Sequence, residues 1–92
     1  MKLKPCVDGN DNLWGYAFFC VGCEHAHVFS IAGNKIWTFD GNVEMPTFTP
    51  SLLNDSPDQR CHLNLTKGKI QYHLDCSHDM KGKLIDLPEM PF

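Results

Sequence analysis

Hydrophobic and polar residues alternate along this chain in short runs, and no stretch keeps the period of an amphipathic helix. Glycine, proline and Asn/Asp clusters break the runs at roughly eight- to twelve-residue intervals, the punctuation of a β fold. Leu13 to Phe19 reads as a strand with Trp14, Tyr16 and Phe18 on one face. Ala26 to Ala32 and Lys35 to Phe39 flank Gly33-Asn34, a connection suited to a tight hairpin in which Phe29 and Ile31 share a face with Ile36. Met45 to Ser51 is extended but interrupted by Pro46 and Pro50, which restricts it to an edge strand or an ordered loop. Asn54 to Arg60 reads as a polar loop.

Cys61 to Thr66 and Lys69 to Leu74 form a second hairpin, joined at Lys67-Gly68. Pairing Thr66 with Lys69 sets Leu63, Leu65, Ile70, Tyr72 and Leu74 on one face, together with Cys61 and Cys76. His62 and His73 fall on the other face, across from each other. Lys83 to Leu87 adds a last short strand. The pattern predicts a mainly β fold: a small antiparallel sheet of hairpins, one domain over residues 1–92, carrying a zinc-ribbon-like metal site.

A chain of 92 residues buries only a small core, so a metal cross-link is a natural supplement. The formal net charge of -3 and the scattered Lys and Arg residues argue against a nucleic-acid face. No apolar run spans a bilayer, and polar residues follow Met1-Lys2-Leu3-Lys4-Pro5 where a signal sequence needs an apolar stretch. The expected setting is cytoplasmic, without a membrane partner. There the five cysteines suit metal binding or burial better than disulfides, with Cys6 left over.

Cys20-Val21-Gly22-Cys23 carries the metal reading. Two thiolates two residues apart turn toward one ion, and Gly22 gives the turn backbone freedom. Cys61, on the inward face at the start of a hairpin, is the third ligand. For the fourth, His78 comes first, then Cys76, then His62. Zinc suits this thiolate and imidazole set, and iron shares the preference. His25 and His27 share a strand face close to the cysteines, either completing the site, forming a second one, or standing as a polar strand edge.

The arrangement of Cys20, Cys23, His25, His27, Trp37, Pro46-Thr47-Phe48-Thr49-Pro50-Ser51, Cys61-His62, Gly68-Lys69-Ile70, His78 and Gly82-Lys83 resembles a family of small proteins encoded by tailed bacteriophages and prophages. The resemblance runs from about Tyr16 to Pro91. It implies a phage origin and a host-cytoplasm location, and it favours His78 over Cys76 as the fourth ligand. It implies no activity, and the ammonia-monooxygenase label some members carry does not fit a small chain without a membrane segment.

The function expected from these features is that of a structural zinc-binding domain acting as a protein-interaction module. Its partner would be a host or phage protein, with no catalytic residue assigned. Trp14, Trp37, Phe39 and Phe48 supply either a contact ribbon or, as small domains require, the core. One alternative is a zinc-dependent, hydrolase-like enzyme with an open metal position near His25 and His27, where Glu24 and Asp75 are the available carboxylates. Another is a nucleic-acid-binding zinc ribbon, disfavoured by the charge.

Overall fold

The computed structural model describes residues 1–33 and 37–91. These form eight strands: β1 Lys4–Val7, β2 Leu13–Cys20, β3 His25–Ser30, β4 Thr38–Phe39, β5 Phe48–Asp55, β6 Arg60–Thr66, β7 Lys69–Tyr72 and β8 Leu84–Asp86. β1-β2-β3 make one sheet and β4-β5-β6-β7-β8 a second. Every pairing is antiparallel. Among the described residues there is no helix, and so none long and apolar enough to cross a membrane.

The β6–β7 hairpin pairs Thr66 with Lys69 and Leu63 with Tyr72. Leu63, Leu65, Ile70 and Tyr72 are fully buried, as the alternation requires. The left-handed conformations of Lys67 and Gly68 close its turn. Leu74 departs from the pattern at 82% exposure, because β7 ends at Tyr72 and the chain turns outward.

Aromatic rings join the two sheets. Phe29 on β3 stacks on Phe48 on β5 with centroids 4.3 Å apart, and Phe39 covers Phe48 at 4.6 Å. Phe18 on β2 extends the stack from Phe29 at 5.2 Å. Each buried phenyl contributes about 1.5–3 kcal/mol of apolar transfer energy. Phe48 is fully buried and Trp37 and Phe39 pack against the core, while Trp14 remains 39% exposed. The rings therefore serve the core rather than a continuous contact ribbon.

Several strand assignments need correction. β1, in which Pro5 pairs with Tyr16, is an additional edge strand. The hairpin expected around Gly33-Asn34 falls partly on residues 34–36, outside the described ones. Thr38 and Phe39 pair with β5, not with β3. The proline-rich Met45 to Ser51 segment leads into β5, an inner strand between β4 and β6. The expected loop from Asn54 to Arg60 shrinks to a turn in which Ser56 and Gln59 exchange backbone hydrogen bonds of 2.9 and 3.3 Å.

Candidate active site and metal centre

Four side chains converge where β2 ends and β6 begins. Ligand atoms of Cys20, Cys23, Cys61 and His78 all lie within 4.8 Å of one another. Cys20 is the last residue of β2, and the Glu24 amide bonds back to its carbonyl at 2.8 Å to fold the Cys20–Cys23 turn. Glu24, at φ 61°, takes the left-handed conformation in this turn. The requirement for Gly22 is different from backbone freedom: a Cβ there would lie 2.3 Å from the His78 ring. The missing side chain makes room for the imidazole.

The donor set fits a tetrahedral dication. Cys20 Sγ and Cys61 Sγ are 3.7 Å apart, and His78 Nε2 is 3.3 Å from Cys61 Sγ. An ion with metal–sulfur bonds of about 2.3 Å separates two tetrahedral sulfurs by about 3.8 Å. The Cys23 amide donates to Cys20 Sγ at 3.4 Å, and Gln59 Nε2 donates to Cys23 Sγ at 3.0 Å. Tyr72 accepts from the Gly22 amide and lies 3.3 Å from Cys20 Sγ. Hydrogen bonding from Cys61 pulls the Cys20 thiol well below the ordinary range against the effect of burial, with Tyr72 and the Cys23 amide adding to it. Cys61 is pushed up by giving its proton toward Cys20 and by burial, and Cys23 by burial and the Cys20 charge. One thiolate is tolerated here. Ionising all three takes a cation.

A second constellation stands on the other face of β6. Cys61 and His62 are neighbours in a strand, so they point to opposite sides. His62 Nε2 lies 3.1 Å from Ser51 Oγ, and His62 Nδ1 lies 3.2 Å from both carboxylate oxygens of Asp75. The acceptor at Nδ1 fixes the Nδ1–H tautomer and leaves the Nε2 lone pair facing the serine hydroxyl. Arg60 braces the carboxylate: Nε and Nη2 reach Asp75 Oδ2 at 3.1 and 3.0 Å, while Nη1 reaches Asp55 at 2.8 Å. Desolvation pushes the Asp75 carboxyl up, but the hydrogen bonds from Arg60 and His62 outweigh it and hold it below its ordinary value. His73 stacks on His62 with centroids 3.9 Å apart and bonds to Asn64 Oδ1 at 2.6 Å.

A bulge delivers Ser51. β5 pairs Phe48 with Leu65 and then Leu52 with Leu63, so Thr49, Pro50 and Ser51 together oppose the single residue Asn64. Such insertions re-aim a side chain next to active sites. Trp37 Nε1 holds the bulge through the Ser51 carbonyl at 3.3 Å.

The structure thus brings together Cys20, Cys23, Cys61 and His78. It holds Cys76 apart on the His62 backbone and His62 in the serine constellation. His25 is exposed, with Nδ1 3.0 Å from the Ala26 carbonyl. His27 is buried and lies 3.2 Å from Asn54 Nδ2, its Nε2 unpartnered. Neither belongs to the four-group cluster. Ser51 is the residue that sequence reasoning missed. The outward parity of His62, opposite Cys61, was the one visible signal of a second site, and nothing local marked Ser51 itself. The bulge that joins them is a tertiary feature.

A family model described as bacterial ubiquitination-like system serine protease (BubE) matches residues 2–73, a span that includes Ser51 and His62. No curated protein matches the chain, and no solved structure does. The match overturns the expectation of a non-enzymatic, phage-type interaction module, and the hydrolase alternative fits it better.

Proposed function

The chain belongs to the BubE family of bacterial ubiquitination-like system serine proteases, and from that membership we propose that it hydrolyses an acyl bond of a polypeptide through Ser51, His62 and Asp75. The observation that carries this reading is the unbroken contact chain from Ser51 Oγ through both His62 nitrogens to the Asp75 carboxylate. Ser51 Oγ attacks the substrate carbonyl while its proton passes to His62 Nε2. His62 returns that proton to the leaving group as the acyl bond breaks. Water, activated by the same imidazole, then releases Ser51. Asp75 keeps the imidazole in the reactive tautomer and stabilises its charged form.

Zinc is the ion we assign to Cys20, Cys23, Cys61 and His78. These four residues would hold the ion with protein ligands alone, and it would then brace the fold while Ser51 performs the chemistry. This replaces the open metal position imagined near His25 and His27. The partner on this reading is the polypeptide substrate.

A fluorophosphonate probe with mass-spectrometric mapping tests the proposal. We expect one adduct, on Ser51, absent in S51A and at least a hundredfold slower in H62A. An adduct on another residue, or labelling of S51A at the wild-type rate, would overturn it.

A further inference from the structure

We infer that Cys76 is a positioning residue of the triad: its thiol brackets the His62 backbone and so sets where the neighbouring Asp75 meets the His62 ring. The inference rests on the triad reading above. Cys76 is 4% exposed and inward-facing, yet it stands outside the metal cluster. Its Sγ accepts from the His62 amide at 3.3 Å and donates to the His62 carbonyl at 3.2 Å. One sulfur therefore engages both backbone groups of the catalytic histidine, much as a neighbouring strand would.

The surrounding contacts make this a staple for the segment that carries Asp75. The His73 amide bonds to the His62 carbonyl at 2.9 Å. On the other side the Ser77 amide bonds to the Arg60 carbonyl at 2.9 Å, and the Arg60 amide donates to Ser77 Oγ at 2.9 Å. Between these anchors Leu74 is 82% exposed and the Asp75 side chain 43% exposed, so neither has packing to fix it. Arg60 braces the Asp75 carboxylate at its outer oxygen, and the backbone that carries it is located by Cys76 and Ser77. A carboxylate displaced by about 1 Å would leave the imidazole tautomer unspecified and cost rate on the order of a hundredfold.

The test uses the zinc-loaded protein with p-nitrophenyl acetate as substrate. C76A should lower kcat about tenfold to a hundredfold with KM within about twofold and metal stoichiometry unchanged. C76S, whose hydroxyl can accept from the amide and donate to the carbonyl, should recover most of that loss. Nitrogen NMR of His62 should show the Nδ1–H tautomer in wild type and C76S and a mixture in C76A. Should C76A fail to fold, C76V, which fills the thiol's place without a hydrogen-bonding group, is read by the same criteria. A wild-type kcat in C76A, or in C76V when that variant stands in for it, overturns the inference. So does loss of metal in C76A, which would return Cys76 to the metal centre. Failure of the triad itself reads differently: S51A would then turn over the ester as fast as wild type.

Discussion

Asp75 is an exposed carboxylate with two demanding partners, and its behaviour links charge to activity. Its pKa is lowered from 3.8 in the folded protein, with Arg60 and His62 outweighing desolvation. The stabilisation this provides is present above the unfolded value and is lost as pH falls through the lower, folded one. Thermal unfolding of D75N should therefore lose part of the wild-type acid sensitivity below about pH 4. At neutral pH, D75N should cut ester turnover by about a thousandfold or more, because an amide can favour the wrong His62 tautomer. At this scale much was legible. Strand parity alone put His62 on the face opposite Cys61, so one histidine could not easily serve the metal. Ser51 was not legible as a nucleophile, because a serine after proline has no distinguishing local chemistry.

Each strand of the second sheet is read well where alternation governs it and poorly where a distant contact does. β6 and β7 are specified by their own buried face, and a slip of one residue would expose every leucine. β5 looked like an edge because of Pro46 and Pro50, yet Phe48 and Leu52 are buried between neighbours. The bulge resolves the conflict by taking Thr49 to Ser51 out of regular pairing with β6, while Thr49 still pairs with Thr38 of β4. The Cys20–Cys23 turn depends on a contact much farther along the chain, between Gly22 and His78. G22A adds a methyl within 2.3 Å of His78, so competition with a chromophoric chelator should show metal binding weaker by about tenfold or more. A G22A protein with wild-type metal affinity would show that the ring moves aside freely.

For the whole molecule, the proposed metal site and the proposed triad share β6 while facing opposite ways, so a bound ion would support the chemistry without touching it. Chelation should lower Tm and abolish fluorophosphonate labelling together, and zinc should restore both; labelling that survives complete metal removal would separate the two sites. Phe48 joins the sheets from the centre of the ring stack, and F48A should cost about 3–5 kcal/mol in denaturant unfolding. The sequence by itself determined the β class, the second hairpin and its register, and which thiols face inward, because alternation and turn residues are local signals. Tertiary structure decided that β4 joins β5, that Cys76 grips the His62 backbone, and that Ser51, His62 and Asp75 meet. Those contacts join segments from three parts of the chain through a bulge and a turn, and no local periodicity encodes the distance between them.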